Sequence, residues 1–198
     1  MPVLYVLAGP NGTGKTTFYY AAIQQGFISP DLAFLNVDII CRNELGGYSA
    51  ENFARADEIA RQRIQTHISQ AEDFMIESNL AVQSDYDWLQ KMQLTGYKVN
   101  LFYLGTSDVE INIQRVHNRV KEGGHDIAVP IIRQRFGNSL MYLKGKLHTF
   151  ESVYLIDNSE ETALLIGEVK DGKIAFKADP FPKWAKELLY ISERLNNS

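Results

Sequence analysis

The opening of the chain constrains the fold more than any other stretch. Val3 to Ala8 is an unbroken apolar run, Gly9-Pro-Asn-Gly-Thr-Gly14 follows at once, and Thr16 to Ile23 reads as part of a helix that begins at about Gly14. A run without polar alternation suits a strand buried on both faces of a parallel sheet. The turn fits G-x-x-x-x-G-K-[ST] at Gly9, Gly14, Lys15 and Thr16, and the order strand, turn, helix is the setting in which that pattern has a mechanism. A triphosphate needs several backbone N–H groups converging on it, which takes conformations that glycine reaches most easily; Gly9, Gly12 and Gly14 supply them. The helix N-terminus turns the positive end of its dipole on the same anion. Lys15 is then placed to reach the β and γ phosphates and Thr16 to ligate Mg²⁺. The whole loop, Gly9, Pro10, Asn11, Gly12, Thr13, Gly14, Lys15, Thr16 and Thr17, is expected to hold a nucleoside triphosphate, ATP or GTP.

Composition bounds the rest. A chain of 198 residues that is 45% hydrophobic can bury one substantial core, so a single α/β domain over residues 1–198 is expected. The net charge of −4 comes with no broad basic face, which argues against a nucleic-acid partner. Cys41 is the only cysteine, so no intramolecular disulfide can form and a reducing cytosol is the natural setting. No basic leader or long apolar segment precedes the first strand; a soluble cytoplasmic protein without membrane association is expected.

Two carboxylates fall at strand ends. Ala33 to Asp38 reads as a second strand, and Asp73 to Asn79 as a third that finishes in Glu77, Ser78 and Asn79. Ligands of open α/β sheets lie at the carboxyl ends of strands. Asp38 is therefore placed where substrate should lie, unless it merely caps the helical turn from Ile39 to Leu45. Arg42, one turn beyond Asp38 on the same face, offers a cation for an anionic substrate. Glu77 suits a water-mediated Mg²⁺ contact or a substrate hydroxyl, or else is a surface acid. Between them, Ser49 to about Ala71 carries Phe53, Ala56, Ile59, Ala60, Ile64 and Ile68 at helical spacing, a packing face with Arg55, Arg61 and Arg63 in solvent.

Further along, Ser84 is expected to cap a helix from Asp85 to Thr95 that Gly96 ends, and Tyr97 to Leu104 forms a fourth strand. Ser107-Asp-Val-Glu110 has the form of a capping box for a helix running to Glu122. Arg115 and Arg119 share a face of that helix; the next, with Pro130 at its first position, carries Arg133 and Arg135. Gly123-Gly-His-Asp126 joins the two, with His125 as a hydrogen-bonding hinge residue. Two cation-bearing helices on a glycine hinge look like a kinase lid over about 115–136, the alternative being surface ion pairs. Arg133 and Arg135 are two apart, so at most one of them meets phosphate. Ser152 to Ile156 is a fifth strand; Asn158, in the Asp157-Asn-Ser159 turn after it, either reads the adenine edge or is plain turn chemistry. Ala163 to Val169 and Lys173 to Lys177 flank Asp171-Gly172 as a hairpin, and Trp184 to Leu195 forms an amphipathic helix.

Taken together, Leu7 to Thr16, Leu35-Asn-Val-Asp-Ile-Ile-Cys-Arg42, Phe74-Met-Ile-Glu-Ser78, Arg115-Val-His-Asn-Arg119, Gly123-Gly-His-Asp126, Arg133-Gln-Arg135 and Asp157-Asn-Ser159 resemble the zeta-toxin family of P-loop kinases. The similarity is to the shorter, stand-alone branch. It implies a three-layer α/β sandwich with a five-stranded, mainly parallel sheet, a helical lid, and a C-terminal hairpin and helix over 163–195. It also implies ATP- and Mg²⁺-dependent phosphorylation of a sugar hydroxyl, classically on UDP-N-acetylglucosamine, and a separate antitoxin protein as partner. Asp38 would be the base, Lys15, Arg119 and Arg133 or Arg135 the phosphate-side cations, and Asn36, Arg42, Glu77 and Ser78 the residues beside the acceptor. Two other readings stay open: a nucleoside, nucleotide or antibiotic phosphotransferase, and a nucleotide-dependent switch that binds a macromolecule.

Overall fold

A computed structural model describes residues 1–195. Its strands are β1 (Val3–Ala8), β2 (Ala33–Leu35), β3 (Phe74–Ser78), β4 (Lys98–Gly105), β5 (Ser152–Asp157), β6 (Leu164–Lys170) and β7 (Lys173–Lys177). Its α-helices are α1 (Lys15–Gln24), α2 (Val37–Glu44), α3 (Ala50–Gln70), α4 (Gln83–Leu94), α5 (Val109–Lys121), α6 (Val129–Leu143) and α7 (Lys183–Leu195). The strands form one sheet in the order β2-β3-β1-β4-β5-β6-β7. The first five are parallel, and β6 and β7 add antiparallel.

β1 lies in the middle, between β3 and β4, which is why its sequence is apolar throughout. Leu4, Val6 and Ala8 point to the face covered by α4, α6 and α7, where Phe74, Leu89, Leu101, Leu143 and Leu188 join them. Leu7 points the other way, onto Tyr19 and Ala22 of α1 together with Met75 and Leu104. Two smaller clusters tie α2 to α3, through Ile40, Cys41, Ala56 and Ala60, and α5 to α6, through Ile113, Val116, Ile127 and Ile132. Among the described residues no helix is long and apolar enough to cross a membrane.

Several boundaries differ from the sequence reading. β2 is only three residues long, and Asp38 lies in the first turn of α2 rather than at a strand end. Asn36 ends the strand because its side chain accepts from the Ile39 N–H at 2.9 Å, satisfying an otherwise open helical donor. Val82, not Ser84, occupies the N-cap of α4, without a side-chain bond. Asp108, not Ser107, caps α5 by accepting from the Glu110 N–H, while the Ser107 N–H donates to Ser159 Oγ. The sheet has seven strands instead of five because the hairpin, turning at Asp171 (φ 49°) and Gly172 (φ 75°), does not stand apart. β6 instead pairs with β5 from Ser152–Lys170 to Asp157–Leu164. The exposed edge becomes β7, whose terminal lysines discourage further strand addition.

Candidate functional site

The parallel order brings the carboxyl ends of β1, β2, β3, β4 and β5 to one rim, and the glycine-rich loop sits on it. Gly12 (φ 81°) and Gly14 (φ 84°) take the left-handed backbone that the loop requires, and Gly14 is the N-cap of α1. Neither has room for a side chain: a Cβ on Gly12 would collide with the Asn112 carbonyl, and one on Gly14 with the Asn158 amide. Thr13 is buried, its Oγ1 donating to the Pro10 carbonyl at 2.9 Å. Lys15 is folded back into the loop, with Nζ donating to the Gly9 carbonyl at 2.7 Å and the Pro10 carbonyl at 3.2 Å, and 3.4 Å from Glu77 Oε1. Burial pushes its pKa down, and the Glu77 carboxylate works against that shift.

Register places Glu77 there. It pairs with Leu7 across β3 and β1, one residue before the strand becomes the loop. Its Oε2 accepts from Asn36 Nδ2 at 2.5 Å and stands 3.4 Å from Thr16 Oγ1. Asn36, buried, thus caps α2 with its oxygen and holds Glu77 with its nitrogen. Thr16 Oγ1 beside the Glu77 carboxylate is a pair of hard oxygen donors, the ligand type that suits Mg²⁺. No group of three or more His, Cys, Asp or Glu among the described residues could hold a metal by itself.

A cavity of about 450 Å³ opens over the loop; Asn11, Gly12, Gly14, Lys15, Thr16 and Thr17 form one side, Asp38 and Glu77 the second, and Arg115, Arg119, Asn158, Glu160 and Glu161 the third. Arg119 Nη1 lies 4.0 Å from Asp38 Oδ2, and Nη2 donates to the His125 carbonyl at 2.7 Å. Arg119 Nε is buried with no hydrogen-bond partner among the described residues. Arg119 also lines a second cavity of about 720 Å³ with Arg42, Gly46, Gly47, Tyr48, Gly124, His125 and Asp126. There the His125 ring packs 4.3 Å from that of Phe53 and 5.8 Å from that of Tyr48. Ser78 does not enter either cavity: its Oγ accepts from the Leu80 N–H and donates to Asp85.

The four arginines divide. Arg115 and Arg119 face the loop cavity; Arg115 donates to the Asn158 and Glu160 carbonyls. Arg135 Nη1 donates to Asn11 Oδ1 at 2.9 Å. Arg133, expected as an alternative phosphate-side cation, is turned away and pairs with Glu110 at 2.5 Å, since two positions along a helix cannot face one way. Asn158 is spent on the loop: its Nδ2 donates to the Thr13 carbonyl at 2.7 Å and its N–H to the Gly105 carbonyl, which takes its amide donor away from an adenine edge. The sequence reading passed over Asn112, which is fully buried and donates to the Asn11 carbonyl at 2.7 Å. Its signal was a polar residue four before Val116, on the buried stripe of α5.

Comparisons with known proteins bear on the fold and the family. The zeta toxin profile matches residues 1–169. A protein of Haemophilus influenzae, itself named only as uncharacterised, is 33% identical over 132 residues, 65% of this chain and 88% of its own length. Among solved structures, AvrRxo1-ORF1 in complex with AvrRxo1-ORF2 aligns with a TM-score of 0.71 at 18% identity, covering 100% of this chain and 71% of that one. The PezAT toxin–antitoxin system of Streptococcus pneumoniae aligns at 0.58 and 17% identity, covering 100% and 86%. A putative kinase of Chloroflexus aurantiacus aligns at 0.51 and 20% identity over 70% of this chain and 78% of its own. These likenesses establish a P-loop kinase fold, and with the profile covering most of its length the chain belongs to the zeta toxin family.

Proposed function

We propose that this protein is a kinase that transfers the γ-phosphate of ATP to a hydroxyl of a small molecule, with a nucleotide sugar such as UDP-N-acetylglucosamine as the class of acceptor. The observation that carries the reading is the placement of Asp38, a carboxylate across one cavity from the phosphate loop and 4.0 Å from the Arg119 guanidinium. A nucleotide switch needs only a positioned water, whereas a kinase needs a base within reach of an acceptor oxygen. Family membership and the kinase fold support the same class of reaction.

In this mechanism the backbone N–H groups of Gly12 to Thr17 and the N-terminus of α1 receive the phosphates. Lys15 exchanges the Gly9 and Pro10 carbonyls for phosphate oxygens. Thr16, with Glu77 beside it, would hold a divalent metal, which would draw charge from the β and γ phosphates. The larger cavity beyond Arg119 takes the acceptor, with Arg42 toward its anionic part and Tyr48 and His125 along its ring face. Asp38 accepts the hydroxyl proton as the oxygen bonds to the γ-phosphorus; the bond from that phosphorus to the β–γ bridging oxygen breaks, and ADP leaves. Arg119 meets the charge that spreads over the transferred group. The helical pair α5 and α6 acts as the lid, residues 1–198 as one kinase domain, and an antitoxin-type protein is the macromolecular partner, a reading supported by the likeness to the PezAT toxin–antitoxin system.

The test is a panel of nucleotide sugars and metabolites incubated with MgATP and read by mass spectrometry, for wild type and Asp38→Asn. One compound should gain a phosphate with wild type only, while calorimetry shows MgATP bound with similar affinity by both proteins. ATP turnover without any phosphorylated product, unaffected by Asp38→Asn, would refute the assignment.

A further inference from the structure

One residue of the phosphate loop is gripped by two helices. Asn11 accepts at its main-chain carbonyl from Asn112 Nδ2 of α5, at 2.7 Å, and at its side-chain oxygen from Arg135 Nη1 of α6, at 2.9 Å. The two grips differ in kind. Asn112 is fully buried, Thr106 Oγ1 donates to its side-chain oxygen, and its own carbonyl lies where a Cβ on Gly12 would be, so α5 meets the loop backbone to backbone. α6 reaches the loop through the Arg135–Asn11 side-chain bond, with Asp85 of α4 within electrostatic range behind it. Arg135 does not line the cavity over the loop, whereas Arg115, Arg119 and Asn11 do.

We propose that Asn11 is a positioning residue that couples the phosphate loop to helix α6, and that Arg135 acts on the phosphate site through Asn11 rather than by touching phosphate. Asn11 stands at the tip of a loop whose peptide groups must point inward for an anion, and Asn112 fixes the carbonyl on its outer side. When that peptide is ordered by a bound anion, its side chain is ordered with it, and the guanidinium it holds carries the constraint to α6. The bond is charge-assisted, which makes it stronger than a neutral amide pair and able to transmit such a constraint. The part that concerns nucleotide rests on the phosphate-loop reading above; the brace itself does not.

Amide hydrogen exchange over Val129–Leu143 tests the brace, using wild type, Asn11→Ala, Arg135→Ala, the double variant and Asn11→Asp, with and without MgATP. In the nucleotide-free protein each alanine variant should speed exchange in α6 by about tenfold, the scale of one charge-assisted bond. The double variant should be no faster than Arg135→Ala, because both changes remove the same bond. Asn11→Asp keeps an acceptor for Arg135 and should retain the protection, a rescue that a merely space-filling residue 11 would not give. MgATP should slow α6 exchange in wild type but in neither alanine variant, and calorimetry should show the two variants binding MgATP with an equal, less than about tenfold, loss. Unchanged α6 exchange in Asn11→Ala, additive effects in the double variant, or weakened MgATP binding in Arg135→Ala alone would overturn the proposal. Because the nucleotide-free comparison stands alone, absence of any MgATP heat in wild type would register as failure of the nucleotide reading and not of the brace.

Discussion

Replacing Glu77 by alanine should unfold the protein at a lower temperature and make that temperature strongly nucleotide-dependent. Lys15 is 5% exposed and the Glu77 side chain 20%, with 3.4 Å between Nζ and Oε1. Glu77→Ala leaves the ammonium with two neutral carbonyls and strips Asn36 Nδ2 of its 2.5 Å acceptor. Breaking one side of a buried pair costs about 3–5 kcal/mol. The partial exposure of Glu77 lets water enter the vacated space, which favours the lower end, about 3 kcal/mol. For a chain of this length each kcal/mol moves Tm by about 2–4 °C, giving a fall of about 6–12 °C. Melts followed by circular dichroism on wild type, Glu77→Ala, Lys15→Met and the double variant measure it. Lys15→Met removes the buried charge, so the double variant should recover at least half of the loss. MgATP supplies Lys15 with a new anion and should raise the Tm of Glu77→Ala more than that of wild type. A Glu77→Ala protein melting within about 2 °C of wild type, or a double variant no better than the single, would show that Lys15 is not held by this carboxylate.

Two further outcomes follow from the arginines and from Asp85. Arg119→Ala should lower phosphoryl transfer by about 10³-fold or more, the scale for a cation at the transferred group, whereas Arg133→Ala, whose partner Glu110 is 60% exposed, should leave transfer within about twofold and stability within about 0.5 kcal/mol; steady-state rates on whichever acceptor the metabolite panel yields separate them. Asp85 is held above its ordinary pKa by burial, which backbone bonds from Ala81 and Val82, the Ser78 hydroxyl and Arg135 only partly offset. The folded protein therefore binds more protons than the unfolded one above pH 3.8, so this group's contribution to stability falls as pH rises through that window and is least favourable at pH 7. Urea midpoints should be higher for Asp85→Asn than for wild type at pH 7 and converge toward pH 4; a lower midpoint at pH 7 would mean that the carboxylate is stabilising.

The parts of the site that follow from local chemistry were legible in the sequence. The phosphate loop announces itself because glycine positions, lysine and threonine must fall at fixed offsets, and the order strand, loop, helix is fixed by the same few residues. Boundaries failed where a side chain competed for a backbone donor. Asn36 takes the Ile39 N–H and starts α2 two residues early, moving Asp38 from strand to helix without moving it away from the cavity. Asp108, one residue later than expected, caps α5 because its carboxylate accepts from the Glu110 N–H. What could not be read at all were partnerships across long separations. That Asn11 bonds to both Asn112 and Arg135, that Glu77 bonds to Asn36, and that Asn158 bonds to Thr13 depend on the strand order β3-β1-β4-β5. Periodicity gives the faces of helices but not which helix stands behind a given loop.

The state of the cations suggests how such a site stays specific before its substrates arrive. Lys15 rests on the Gly9 and Pro10 carbonyls, Arg115 on those of Asn158 and Glu160, and Arg119 on that of His125. Each is satisfied by a neutral oxygen that phosphate can replace with a charged one, so phosphate binding gains from the exchange rather than from relief of a bare charge. The acids oppose it: Asp38 and Glu77 line the cavity that the proposed reaction assigns to the phosphates, and a like-charge approach at 4 Å costs about 1 kcal/mol in water and about 4 at the effective dielectric of a protein surface. Neither acid can be dispensed with in the proposed reaction, since Asp38 takes the proton and Glu77 balances Lys15. In the proposed reaction a divalent cation held by Thr16, with Glu77 beside it, would offset that repulsion, so Mg²⁺ would serve charge balance as well as chemistry.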